Sequence, residues 1–157
     1  IVMGPWDHEY PSSSSLLPRL EWKYEAVRWF NMMLRDSNDA RNRDNDILNE
    51  PDVSVYVRHS APPATNATEI PGEWRAYPTW PNTTQYKLFL TNEHTLSESV
   101  DSNTTATHSL LYRAVTGTQV PVWWGGRTGN MVEFDSYSLV YDSPILTQMV
   151  EIIGKVS

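Results

Sequence analysis

Val53-Ser54-Val55-Tyr56-Val57-Arg58 is the stretch whose reading decides the fold. Valine alternates with polar or amphipathic residues, the period-two pattern of a strand with one buried face. β-Branched side chains suit such a pleated, half-buried surface. Downstream the same kind of signal recurs. Tyr86 to Thr91, Leu110 to Thr116, Gln119 to Trp124, Met131 to Phe134 and Ser136 to Tyr141 are further β-rich runs, joined by loops rich in Pro, Ser, Thr and Asn. Gly125-Gly126-Arg127-Thr128-Gly129-Asn130 has the composition of a tight turn. Six short strands connected in this way predict a mainly β (α+β) fold, an antiparallel sheet or a barrel-like domain.

Upstream of the first strand the period changes. From Arg19 to about Asp39 there is no Gly or Pro, and Leu20, Tyr24, Val27, Phe30 and Leu34 recur at helical spacing. One clear helix is therefore expected near residues 20–36. A second stripe, Trp22, Ala26, Trp29 and Met33, lies on nearly the opposite side at ~100° per residue. A helix with two apolar faces is either sandwiched inside its own domain or shows one face to a partner. At the other end, Ser143-Pro144 and Gly154 bracket an apolar run with N-cap, N1-proline and C′-glycine signals. A C-terminal helix is the favoured reading there, although Ile145, Val150, Ile152 and Ile153 would equally suit a buried strand.

Before the helix, Pro5, Pro11 and Pro18 with the run Ser12 to Ser15 form a hinge composition, part stiff and part flexible. Ile1-Val2-Met3-Gly4 reads like the end of a strand whose remainder lies upstream, so the chain is expected to be a piece of a longer polypeptide. Residues 1–18 are assigned to an arm or hinge and 19–157 to a single globular body. The alternative is an ordinary loop held on the domain by Trp6 and Tyr10.

Composition narrows the chemistry. The 157 residues carry 12 Lys+Arg against 19 Asp+Glu, with 39% hydrophobic residues, which is too apolar for a disordered chain. A net charge of −7 argues against a phosphate-reading face for nucleic acid. No run approaches the ~18 apolar residues of a membrane span, so no membrane insertion is expected. The absence of Cys excludes thiol catalysis, disulfides, Fe–S clusters and Cys-containing zinc sites.

Metal-ligand spacing is missing as well. His8, His59, His94 and His108 are far apart, and the calcium-like start Asp36-Ser37-Asn38-Asp39 fails at Ala40, Arg41 and Ile47. No metal or other cofactor is expected. There is no G-x-S-x-G elbow and no phosphate-cradling Gly-rich loop. His59-Ser60 and His108-Ser109, with Asp101, Asp135 and Asp142 as orienting groups, keep a Ser/His/Asp site open, because such a triad is defined in space. Glu73, Glu93, Glu133 and Asp135 are carboxylates with nothing to select a glycosidic pair. No catalytic residue is assigned, and the chain is read as a non-enzyme.

Aromatic surface is the feature that stands out, with seven Trp and eight Tyr. Trp74, Tyr77 and Trp80 fall within Pro71 to Pro81, where three prolines are expected to hold a stiff, exposed ridge. Trp123-Trp124 precede the glycine turn and Arg127; the pair either splits between core and surface or stays outward. Trp and Tyr join a large apolar area to a polar handle at low rotamer cost, which suits interfaces and sugar stacking. Asn66-Ala67-Thr68, Asn82-Thr83-Thr84 and Asn103-Thr104-Thr105 are glycosylation-type triplets in loop sequence, in a chain where such triplets also arise by composition.

The strand-end opening, the Pro/Ser hinge and the acidic, cysteine-free β body with aromatic loops together resemble the C-terminal protruding domain of a capsid protein. The comparison is with small non-enveloped positive-strand RNA viruses, including honeybee viruses of the Lake Sinai and iflavirus kinds. The resemblance is architectural and rests on no diagnostic motif, so no family residue is carried over by position. It implies a structural role at the virion surface: residues 1–4 leaving the shell jelly roll, Trp6 to Pro18 as the hinge, and a spike beyond. It implies self-association as dimer or trimer, or docking on the shell, through Trp22, Trp29 and Met33. It also implies attachment to a host receptor or glycan, with Trp74, Tyr77, Trp80, Trp123, Trp124 and Arg127 as candidates. Some iflavirus protruding domains have been proposed to hold a Ser-His-Asp site, and the two His-Ser pairs are similar to that arrangement without a matching Asp spacing. A carbohydrate-binding module using Trp74, Trp80 and Trp123 is the alternative, and a hydrolase using His59 or His108 the third.

Overall fold

The alternating valines form the central strand of a small sheet. The computed structural model describes residues 1–6, 8–35, 46–100, 107–114 and 130–154. Strand β1, Val2–Met3, lies parallel to β2, Val53–Arg58, while β3, Gly72–Tyr77, runs antiparallel on its other edge. The register pairs Val53 with Tyr77 and Arg58 with Gly72. Because side chains alternate, Val53 and Val55 share one face with Arg75 and Tyr77, and Tyr56 shares the other with Trp74. The valine face is the one that buries side chains: Val53 and Val55 are buried, as are Leu16 and Ile70.

The serine run is built into this same part of the molecule. Ser14 is buried, the Arg19 Nε–H donates to its carbonyl at 2.7 Å, and the Ser15 N–H donates to Glu9 Oε2 at 2.9 Å. Leu17 pairs with Glu69 in a parallel bridge, giving N–H donation from Leu17 to Thr68 O at 3.0 Å and from Ile70 to Leu17 O at 2.9 Å. These bonds seat Leu16 and Ile70 among the buried residues, since backbone groups leaving water must find partners. Helix α1, Trp22–Leu34, follows. The chain divides into two compact units, Ile1–Trp80 and Pro81–Ser157, and residues 1–18 fall in the same unit as α1.

In the second unit, β4, Phe89–Leu90, and β5, Leu96–Ser97, form an antiparallel ribbon. The turn between them is closed by Thr91 N–H donating to Thr95 O at 2.9 Å, with His94 in the left-handed region at φ 58°. Asp142 lies alongside: its N–H donates to His94 O at 3.1 Å and its carbonyl accepts from Leu96 N–H at 2.8 Å. A single helical turn, α2, spans Val132–Asp135.

The fold is mainly β (α+β) with one long helix, and several sequence expectations are corrected in detail. There is no closed barrel among the described residues; the strands form a three-stranded mixed sheet and a two-stranded ribbon. Pro71 to Pro81 is not a loop throughout: Gly72 to Tyr77 contains no proline and finds an antiparallel partner in β2, so Pro71 and Pro78 merely bound a strand. Met131 to Phe134 is not extended, because Asn130 Oδ1 accepts from the Val132 N–H at 3.0 Å and caps the helical turn that follows. Of Tyr86 to Thr91 only Phe89 and Leu90 are in a strand, and neither 110–114 nor 136–141 is. The run 119–124 lies outside the described residues. No helix forms over 143–154: Ile145 and Met149 are 93% and 92% exposed, and a short helix without a buried face does not repay its nucleation.

Candidate functional site

The surface of α1 is arranged inversely to that of an ordinary amphipathic helix. On a helical projection, Trp22, Ala26, Trp29, Met33 and then Tyr24, Val27, Phe30 and Leu34 cover an arc of about 220°, interrupted by Lys23 and Asn31. Glu21, Glu25, Arg28, Met32 and Arg35 occupy the rest. Part of that arc is covered by the chain, although Glu21 is exposed. Arg28 donates to Glu25 at 2.7 Å and also to Glu50, and the latter hydrogen bond is the main reason its pKa is raised. Arg28, Glu25, Met32 and Arg35 are all partly covered. By contrast Tyr24, Val27, Phe30 and Leu34 are 64%, 56%, 58% and 77% exposed, and no residue of α1 is fully buried. A helix normally hides its apolar stripe and shows its charges; here the Tyr24, Val27, Phe30 and Leu34 stripe is open, while Trp22 and Ala26 are partly covered.

The three residues expected to mediate self-association are not equivalent. Trp22 is engaged within the chain: Tyr10 stacks on it with ring centroids 5.7 Å apart, and its buried indole Nε1 has no hydrogen-bond partner. Trp29 and Met33 are about half exposed and continue the open arc. The best-exposed stripe, Tyr24 to Leu34, is legible in sequence as a helical stripe but not as the outward one, since period fixes which residues share a face and not which way the face turns.

The aromatic residues of 71–81 are not presented together. Trp74 and Tyr77 sit on opposite faces of β3. Trp74, although 41% exposed, packs against Trp6 at 5.9 Å and edge-on to Tyr56 at 5.4 Å. Trp6 is itself fixed by donation from Nε1 to Pro18 O at 2.7 Å. The Tyr56 hydroxyl donates to Ile70 O at 2.6 Å, and burial, then Glu69, pushes its pKa up. This Trp6–Trp74–Tyr56 cluster binds the N-terminal residues to the sheet. Trp80 is exposed, while Trp123, Trp124 and Arg127 lie outside the described residues.

The polar candidates fall as follows. His59 and Ser60 are exposed just beyond β2. His108 has both ring nitrogens occupied, Nδ1 by the Tyr141 hydroxyl and Nε2 by Asn92 O at 3.1 Å. A neutral ring that accepts at Nδ1 and donates at Nε2 satisfies both bonds. Its ring stacks on His94 at 4.0 Å and 6°, with Tyr141 5.3 Å from His94. No local pattern in the sequence points to this His94–His108–Tyr141 cluster; the pairing of Thr95 with Asp142 brings His94 beside Tyr141, and His108 joins them through its bonds to Tyr141 and Asn92 O. Glu73 accepts from Arg75 Nε and Nη2 at 2.8 and 2.6 Å, and those bonds hold its carboxyl below the usual range. Among the described residues no group of three or more His, Asp or Glu is placed to hold a metal ion, and no helix is long and apolar enough to cross a membrane. Comparison with known proteins finds no matching family model, no matching curated protein and no matching solved structure.

Proposed function

We propose that this chain is a protruding surface domain of a non-enveloped virus capsid, with the virion surface as its location. It is a structural protein whose role is to assemble with copies of itself and the capsid shell and to contact a host receptor or glycan. The observation that carries this reading is the outward apolar face of α1, which calls for a protein partner. Large exposed apolar patches mark association surfaces. The charge of −7 supports a role facing solvent and repelling neighbouring particles.

The sugar-stacking alternative draws less support, because Trp74 is already packed between Trp6 and Tyr56. Catalysis by His108 draws less support too, because its two nitrogens are committed to Tyr141 and Asn92. Electron microscopy of particles assembled from the polypeptide that carries this chain, with and without residues 1–157, tests the proposal. Projections that disappear on deletion, leaving smooth shells, are expected. Smooth shells from both polypeptides would overturn it.

A further inference from the structure

We propose that the stacked His94 and His108 rings are a proton-sensitive catch on the second unit. It holds the β4–β5 turn and the Asp142 segment together near neutral pH and loosens them when both rings are charged. The inference does not depend on the capsid reading.

Three observations carry it. The first is the stack itself. The two ring centroids are 4.0 Å apart with planes 6° from parallel, and Tyr141 lies 5.3 Å from His94 and 5.4 Å from His108. Offset stacking of neutral rings is favourable; with a proton on each ring, two like charges face each other across the same gap. Imidazole is the side chain whose ordinary protonation falls between about pH 5 and 8. Screened as in bulk water, repulsion at about 4 Å is worth roughly five-fold in an equilibrium constant, and more at the lower effective dielectric of a protein surface.

The second is what the stack holds. His94 occupies the left-handed region at φ 58°, which non-glycine residues visit sparingly. Among the described residues its ring makes ring contacts and no hydrogen bond. Its carbonyl accepts from the Asp142 N–H at 3.1 Å, and the Asp142 carbonyl accepts from the Leu96 N–H at 2.8 Å. Displacing His94 therefore acts directly on the bridge between the ribbon and Asp142. His108 is fixed from the other side by Tyr141 and Asn92 O. A protonated His108 keeps both bonds, because the Tyr141 hydroxyl can also accept. The ring that gives way is His94.

The third is the surrounding charge. Glu93 and Asp142 are the carboxylates next to His94 and Tyr141 along the chain, and among the described residues neither is ion-paired to an imidazole. Arg113, the cation of the His108 segment, lies over the Tyr137 ring at 5.2 Å. Carboxyl groups ordinarily titrate near pH 4 and phenols near pH 10. The two imidazoles are thus the groups of this cluster that change charge on acidification from about pH 7.5 to about pH 5.

The test is amide hydrogen exchange in the full 157-residue chain at those two pH values, expressed as protection relative to intrinsic rates. In wild type, protection at the Leu96 and Asp142 amides is expected to fall at least about five-fold at the lower pH. The Ser54 and Ile70 amides of the first unit should keep theirs. Two variants each leave a single titratable ring: His94→Asn, whose side chain tolerates the left-handed backbone, and His108→Phe, which keeps a ring in the stack. Whatever their protection at the higher pH, it should change little at the lower one. Equal protection of the wild-type Leu96 and Asp142 amides at both pH values would overturn the inference. So would an undiminished fall in either variant, which would place the pH response outside the histidine pair.

Discussion

Gly72→Ala probes the sheet at its tightest point. A Cβ at this position would fall against Val57 O and lie 2.6 Å from the Tyr56 ring. The first contact is with backbone of the paired strand, so relief requires β2 and β3 to separate by about 1 Å at their Arg58–Gly72 end. Elsewhere Gly→Ala in a strand gains roughly 0.5–1 kcal/mol by reducing unfolded-state freedom. Here overpacking of about 1–3 kcal/mol opposes that gain, and the backbone contact makes the larger figure the relevant one. The net expectation is destabilisation by about 1–2 kcal/mol, seen as a lower urea midpoint with an unchanged slope. Tyr56→Ala in the same background should relieve little of it, because the Val57 carbonyl remains. A Gly72→Ala protein more stable than wild type would refute the close approach and with it the register that places Trp74 opposite Tyr56.

Other consequences concern single bonds. Tyr56→Phe removes the bond to Ile70 O and should cost about 1–2 kcal/mol by chemical denaturation. Because burial raises the Tyr56 pKa in the folded state, wild-type stability is full below the unfolded tyrosine value near pH 10 and falls as pH rises through the folded one; the Phe variant should lose that fall. Trp6→Phe keeps an aromatic ring but deletes donation to Pro18 O, so a loss of about 1 kcal/mol is expected, with faster amide exchange at Leu20 and Leu17. His108→Ala should speed exchange at the Thr91 and Leu96 amides beside the His94 stack. In an ester-substrate screen, wild type and His108→Ala or His59→Ala are expected to be indistinguishable.

Much of the first unit is legible in residues 53–58 and 20–34, where period-two and helical patterns are long enough to define a strand and a helix. Strand β3 is hidden by its prolines. Gly72 to Tyr77 reads as a loop because Pro71 and Pro78 flank it, and only the partner strand decides otherwise. The turn at 132–135 escapes a periodicity reading because its signal is one cap, Asn130. At the C-terminal end, Ser143, Pro144 and Gly154 carry cap signals, yet caps cannot sustain a helix whose apolar residues have nothing to bury against. The candidate site is half legible. Both stripes of α1 are visible in sequence, but the direction each faces depends on Glu50 reaching Arg28 and on Tyr10 reaching Trp22, two contacts between residues 22 and 12 positions apart. The His94–His108–Tyr141 cluster rests on the Thr95–Asp142 bridge and on the bonds of His108 to Tyr141 and Asn92 O, none of which a local pattern announces.

If the chain assembles with copies of itself as proposed, the exposed Tyr24–Leu34 side of α1 is a candidate for the contact. Hydrogen exchange followed by mass spectrometry at high and low protein concentration tests it most directly. Peptides covering Trp22–Leu34 are expected to become markedly more protected at high concentration, while those covering Val53–Arg58 and Gly72–Tyr77 exchange at the same rate throughout. Equal exchange of the α1 peptides at both concentrations, with sedimentation showing a single species, would contradict it.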